Sequence, residues 1–297
     1  MLDNVKLNEY TLAGLSEVYI SLHILDLAED ALFAIKTNKF IEMWSEGFGS
    51  CCEKMRNVMS KMTSEEHQKL ILEFTNLNTL NERMKGKKVI SAVFHGKVNG
   101  WCRARFIKVT DSDNEKLRYV LYAVECIDEE KKKENHLLYL SQTDLMTGIY
   151  NRGYGERMIS ELLDMQRQGL FCLFDVDKFK NINDRYGHSV GDKVLIEISK
   201  ALQKVKRSND IVMRLGGDEF AAYFVDIDCE PAASEIIAAF FSELLKIHIE
   251  PISEKISVSL GAVLYKEGFS FDSIYKLADK GVYDSKTNKG NSYTFFN

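Results

Sequence analysis

No apolar run in this chain approaches the roughly 20 residues of a membrane-spanning helix. The longest, GLFCLF at 169–174 and IIAAFFSELL at 236–245, are the size of core elements. The start, MLDNVKLNEY, lacks the basic-then-apolar plan of a secretory signal, so a cytoplasmic protein with no membrane partner is expected. Basic excess is missing too. The net charge of −5 argues against a general nucleic-acid binder, which needs a cationic face. A nucleotide substrate stays open, because a few local cations and a metal can hold phosphates. The six cysteines (51, 52, 102, 126, 172 and 229) form no C-x-x-C pair and no zinc spacing. They read as free thiols, several of them small core hydrophobes. The adjacent Cys51-Cys52 pair carries no local sign of redox chemistry. Internal repeats and low-complexity segments are absent as well.

What is present is enough chain for two domains. The 297 residues are 45% hydrophobic and 28% charged, the balance of a soluble globular protein. Residues 18–27 and 31–37 read as a hairpin around the turn-like AED. Two helical stretches follow, then three strand-like runs at 87–96, 101–110 and 117–128. That order fits a small antiparallel sheet with helices on one face. Two of its histidines, His23 and His95, fall in or beside strands and read as structural. DEEKKKENHLLYLSQTD (128–144) reads as a connecting helix, either pairing with a second copy or solvated alone. From about residue 144 helices and strands alternate around one central sheet. The expected domains are 1–127, a linker helix 128–143, and 144–297, in an α/β (α+β) fold.

Two stretches carry charge where a core would not want it. The apolar LFCLF stops at Asp175, so a buried strand emerges with an acid at its C-terminal end, where open α/β sheets bind ligands. Asp175 and Asp177 open D-x-D, as an EF-hand does, but Phe179, Lys180 and Tyr186 occupy positions that a calcium loop cannot give them. Two acids capping the next helix explain this stretch equally well. The second stretch is RLGGDEFAAYF (214–224). Gly-Gly suits a tight hairpin needing positive φ, yet Asp218 and Glu219 follow at once. Neighbouring strand residues point to opposite sides, so the two acids hold different jobs. If this tip abuts Asp175, three carboxylates converge and a cation must neutralise them, magnesium with a polyphosphate being the natural occupant.

TDLMTGIYNR (143–152), DVDKFKNINDRYGHSVGD (175–192), RLGGDEF, SVSLGAVLY and LADKGVYDSK come in the order of the GGDEF family. From about residue 141 onward the chain resembles these diguanylate cyclases, which join two GTP into cyclic di-GMP. The resemblance implies a central, mostly antiparallel sheet flanked by helices. It implies that Asp175, the Val176 carbonyl, Asp218 and Glu219 hold Mg²⁺ or Mn²⁺. It makes Asp218 or Glu219 the catalytic base, Asp218 being favoured. Asn183 and Asp192 take the guanine-binding positions; a carboxylate suits guanine N–H donors, which adenine lacks at that edge. Phe179, Lys180 and Lys286 are implied as further substrate contacts, although Lys180 alone reads as a solvated charge.

The family's closing K-x-x-G-R-N stands here as KTNKGN, with Lys289 before Gly290, so a lysine point charge replaces an arginine fork. Arg207 and Asp210, in RSND, match the family's R-x-x-D inhibitory site for cyclic di-GMP; a plain surface loop is the alternative. The product's two-fold symmetry implies a homodimer, one GTP on each copy. The N-terminal order resembles a PAS-like sensory fold of unknown ligand. A silent GGDEF domain that only binds GTP or cyclic di-GMP is the alternative function. A cyclase for a mixed GMP–AMP product is disfavoured by Asp192.

Overall fold

The computed structural model describes residue 14 and residues 17–109, 117–288 and 290–296. The chain divides into two compact units, 1–135 and 136–297.

The first unit begins with the hairpin β1 (Tyr19–Asp26) and β2 (Ala31–Lys36). Helices α1 (Lys39–Ser45), α2 (Cys51–Met62), α3 (Glu65–Phe74) and the short α4 (Leu80–Arg83) follow. Their starts are capped locally. The Asn38 side chain accepts from the Phe40 and Ile41 amides, and Ser50 with Glu53 forms a capping box for α2. Strands β3 (Val89–Gly96), β4 (Gly100–Lys108) and β5 (Tyr119–Cys126) complete an antiparallel sheet in the order β2-β1-β5-β4-β3. Met55, Met59, Met62 and Ile71 on the helices meet Phe94, Phe106 and Tyr122 on one sheet face. The other face carries Arg103 and Arg105 paired with Glu125. Helix α5 (Asp128–Gln142) has no buried residue and exposes Leu137, Leu138 and Leu140.

The second unit is built on β7 (Gly169–Val176), buried along nearly its whole length. Its neighbours are β10 (Val258–Leu264) and β9 (Glu219–Val225), both antiparallel to it. Outside these lie β8 (Ile211–Gly216), β6 (Tyr150–Asn151) and β11 (Ser292–Phe295), giving the order β11-β10-β7-β9-β8-β6. The two outermost pairings, β6–β8 and β10–β11, are parallel.

Both faces of this sheet are covered, which is why β7 reads as an unbroken apolar run. Leu170, Cys172 and Phe174 pack under α8 (His188–Val205) and α9 (Glu230–Leu244). Phe171 and Leu173 pack under α6 (Arg152–Asp164) and α10 (Phe271–Ser285). Helix α10 lies very close to β10, for a Cβ on Gly261 would land on the Ala278 carbonyl. A further helix, α7 (Phe179–Tyr186), which pattern reading left undefined, follows Asp177 directly and begins after Lys178 in the left-handed region at φ 55°. Among the described residues, no helix is long and apolar enough to cross a membrane.

Candidate active site

The site forms where β7 ends against the β8–β9 turn. Asp175 is the register partner of Glu219 on one side and of Ser259 on the other. One residue on, the Val176 amide donates to the Asp218 carbonyl at 3.2 Å. The tip of RLGGDEF therefore abuts the strand end. The turn needs its glycines: Gly217 sits at φ 55°, and a Cβ there or at Gly216 would meet open space. A ligand can approach this backbone closely.

Three acids come near one another and disturb each other. Asp175 is pushed above the ordinary carboxylate range by burial, with Asp218 and Asp177 adding repulsion; Lys286 opposes the rise. Glu219 is also raised, first by loss of water contact and then by Asp175, Asp218 and Asp279. The Lys286 Nζ lies 3.1 Å from Asp175 Oδ1, so an ammonium already partly neutralises the group. Among the described residues, no three His, Cys, Asp or Glu side chains are gathered into a ready-made metal cage. Like charges do not close up unaided. The donor set nonetheless suits a hard divalent cation: carboxylate and carbonyl oxygens, with Asp175 and Glu219 raised by burial and by neighbouring acids, and a monocation at Asp175.

Asp177 lies close enough to act on Asp175, but its own oxygens are already partnered. The strand ends at Val176, and the Asp177 carboxylate accepts from Ser257 Oγ at 2.6 Å and Ser259 Oγ at 2.7 Å. It pins the strand end to β10. Arg214 is a positioning residue that motif reading passed over. Its Nη2 and Nε donate to the Gly217 carbonyl at 2.7 and 3.1 Å, and its Nη1 lies 3.3 Å from both Asp144 oxygens. Asp144 is held below the usual carboxylate range. Burial alone would raise it, but two Thr147 donors and Arg214 outweigh that.

The expected guanine contacts fall on two packed helices. Asn183 is on α7 and Asp192 in the early turns of α8. Gly191 runs against Asn183 so closely that a Cβ would collide with its amide. The Asn183 Oδ1 is buried and has no hydrogen-bond partner. Phe179 packs partly buried on the core beneath, whereas Lys180 is exposed. Lys289 lies outside the described residues. Of the expected inhibitory pair, Arg207 is exposed and Asp210 is buried. The Asp210 oxygens accept from the Arg207 amide at 2.7 Å and the Val225 amide at 2.9 Å, which ties the turn before β8 to β9.

Open α/β sheets take their ligands at strand ends, and here acids gather at one such end beside the two helices that carry Asn183 and Asp192. The "Diguanylate cyclase, GGDEF domain" family model matches residues 141–292. The match takes in half of the chain, and the chain belongs to the GGDEF family of diguanylate cyclases. Diguanylate cyclase DgcM of Escherichia coli (strain K12) is 31% identical over 183 residues, which cover 59% of this chain and 43% of that protein. Probable diguanylate cyclase DgcT of the same strain is 33% identical over 153 residues, covering 50% of this chain and 34% of its own. The chain thus spans less than half the length of these curated relatives. In fold it resembles the coiled coil and GGDEF domain of DgcB from Caulobacter crescentus, whose crystal structure is in complex with c-di-GMP. The TM-score is 0.52 at 23% identity, over 57% of this chain and 93% of that one.

Proposed function

We propose that the chain is a sensor-coupled diguanylate cyclase, condensing two GTP into cyclic di-GMP and two pyrophosphates. The observation that carries this reading is the pairing of Asp175 with Glu219 across β7 and β9, with the Asp218 carbonyl on the Val176 amide. Asp175, the Val176 carbonyl, Asp218 and Glu219 would hold Mg²⁺ or Mn²⁺. When bound, such an ion neutralises the triphosphate and favours in-line displacement at the α-phosphorus.

The protein's own residues do the rest. The 3′-hydroxyl of one GTP loses its proton to a carboxylate of the turn. Asp218 is the favoured base, and Glu219, whose pKa is raised by burial and by the neighbouring acids, is the other candidate. The hydroxyl oxygen then attacks the other nucleotide's α-phosphorus, and pyrophosphate leaves. Lys286 would turn from Asp175 to phosphate oxygens, and Lys180 and Lys289 are proposed as further phosphate contacts. The orphaned Asn183 oxygen and Asp192 accept the N–H donors of guanine, above Phe179. Each copy holds one GTP, so two copies face each other about a two-fold axis, and holding the reactants in line supplies much of the rate. GTP as substrate fits a cytoplasmic setting.

The first unit is read as a PAS-like sensory domain, α5 as its signalling linker, and residues 144–297 as the catalytic domain. Supporting this are the strand order β2-β1-β5-β4-β3, the helices inserted between β2 and β3, and a small inner cavity of about 30 Å³ between helices and sheet. That pocket is lined by Ser21, His23, Met55, Met59 and Tyr122. Cyclic di-GMP is the proposed feedback inhibitor, gripped by exposed Arg207 while Asp210 shapes the turn. The Lys286–Asp175 ion pair supports a second reading, a silent module that binds nucleotide without turning it over.

One assay separates these readings. Purified dimeric protein is given GTP and Mg²⁺, with and without ATP, and products are resolved by chromatography. Cyclic di-GMP is expected. GTP binding without product leaves the silent module, and a mixed GMP–AMP product overturns the guanine assignment.

A further inference from the structure

Two cysteines face each other across β4 and β5. Cys102 and Cys126 are register partners. One position further, the Ile127 amide donates to the Trp101 carbonyl at 2.8 Å, which marks Trp101 and Ile127 as a hydrogen-bonded pair. Cys102 and Cys126 are therefore the adjoining non-hydrogen-bonded pair. In such pairs the Cα atoms stand about 4.5 Å apart and the side chains leave from the same face. That separation lies within the roughly 4.4–6.8 Å that disulfides span. The two thiols also share an acceptor. Cys126 Sγ donates to the Asn99 carbonyl at 3.5 Å and Cys102 Sγ to the same oxygen at 3.9 Å.

Their surroundings differ in a useful way. Cys102 is buried, and burial, helped by Cys126 and Asp128, pushes its thiol up to about 12. Cys126 is exposed at the strand end. An oxidant from solvent meets Cys126 first and finds Cys102 behind it. The other thiols have no such arrangement: Cys51 bonds the Asp30 carbonyl, Cys172 is buried inside β7, and Cys229 is exposed just ahead of α9.

We propose that Cys102 and Cys126 are a peroxide-modified pair that closes to a reversible disulfide. The Cys126 thiolate attacks the peroxide O–O bond; a sulfur–oxygen bond forms, and the released hydroxide is protonated to water. The Cys102 sulfur then attacks the Cys126 sulfenic acid. The sulfur–sulfur bond forms, the sulfur–oxygen bond breaks, and the departing hydroxide takes the Cys102 proton. Two thiols and one hydrogen peroxide give one disulfide and two waters, the sulfurs being oxidised and the peroxide oxygens reduced. A small thiol reverses the bond by exchange. The bond falls beside the first residue of α5, Asp128, whose Oδ1 accepts from the Trp101 amide at 2.6 Å. Oxidation would fasten the β5-to-α5 junction to the β3–β4 hairpin.

The test uses the full chain, freshly reduced and exposed to stoichiometric hydrogen peroxide. It is quenched with iodoacetamide and mapped by mass spectrometry without reduction. The expected result is a cross-linked Cys102–Cys126 peptide lighter by two hydrogens than its parts, lost again on adding dithiothreitol. Cys102→Ser should leave Cys126 as a sulfenic acid that dimedone traps, and Cys126→Ser should give no cross-link. A Cys51–Cys52 link in place of this one, a Cys126–Cys126 link between chains, or full alkylation of both thiols after peroxide would overturn the proposal. The wild-type map decides even if a serine variant folds poorly.

Discussion

The two sheets solve the same problem of burial in opposite ways. The N-terminal sheet covers one face with methionine-rich helices and leaves Arg103, Arg105 and Glu125 on the other. The sheet of the second unit is covered on both faces, with Phe174 on one side and Phe171 on the other. A sheet covered on both sides has no free face for chemistry. Only its strand ends meet water, and there Asp175, Asp218 and Glu219 stand. The one-sided sheet keeps its polar groups outward or, as with His23 and Ser21, turned into its own core.

The largest effect should come from the strand ends. Glu219→Gln is expected to lower cyclic product formation from GTP by about 10²–10⁴-fold, read by chromatography. The same change should raise the melting temperature of the ligand-free chain. Glu219 has its pKa raised in the folded state, so its ionisation opposes folding: apo stability falls as pH rises through that raised value. Unchanged turnover would break the contrast between strand ends and faces.

The doubly covered core comes next. Phe174 is fully buried, with ring centroids 5.5 Å from Phe220 and 5.2 Å from Phe240. Phe174→Ala should cost about 3–5 kcal/mol in a denaturant titration followed on the catalytic unit. A loss below about 1 kcal/mol would mean that this face repacks freely.

A pH titration sharpens the comparison from the other unit. Burial lowers the His23 pKa from 6.5 to about 4. The folded state holds the ring neutral while the unfolded chain protonates it. The stability it contributes is present above pH 6.5 and is lost as pH falls towards about 4. Melting curves should show the N-terminal transition dropping in that window, and His23→Leu should flatten the drop. The smallest effect belongs to the open face. Arg105→Ala removes a contact 2.9 Å from Glu125, and should change stability by about 0–1 kcal/mol in the same melts.

Much of this was legible because local pattern and final environment agree. Alternation marked β4, where Cys102, Ala104 and Phe106 are buried and Arg103 and Arg105 point out. The unbroken LFCLF marked β7, and its stop at Asp175 marked the site. What pattern could not supply depends on partners far along the chain. β6 has two residues and β11 four, and each exists because a distant strand accepts it in parallel. In helix α7, Phe179, Ile182 and Tyr186 recur at helical spacing and pack on the core, but two turns of mostly polar sequence are too short for pattern alone to mark a helix. Asp177 stands beside Asp175 in D-x-D, and only the fold shows its oxygens taken by Ser259 of β10 and by Ser257 just before that strand. The two backbone amides that donate to Asp210 could not be read from RSND, because one of them comes from Val225 in a different strand.

The Arg214 bridge also has a mechanical side. Helix α5 ends at Gln142, and its last turn is fastened to the catalytic unit: Asn151 Nδ2 donates to the Ser141 carbonyl at 2.9 Å. Asp144 comes two residues after that helix end and holds Arg214, which in turn holds the Gly217 carbonyl. Two side chains therefore tie the backbone just past the end of α5 to the peptide plane of the glycine turn, so the turn's position depends on a segment about 70 residues earlier in the chain.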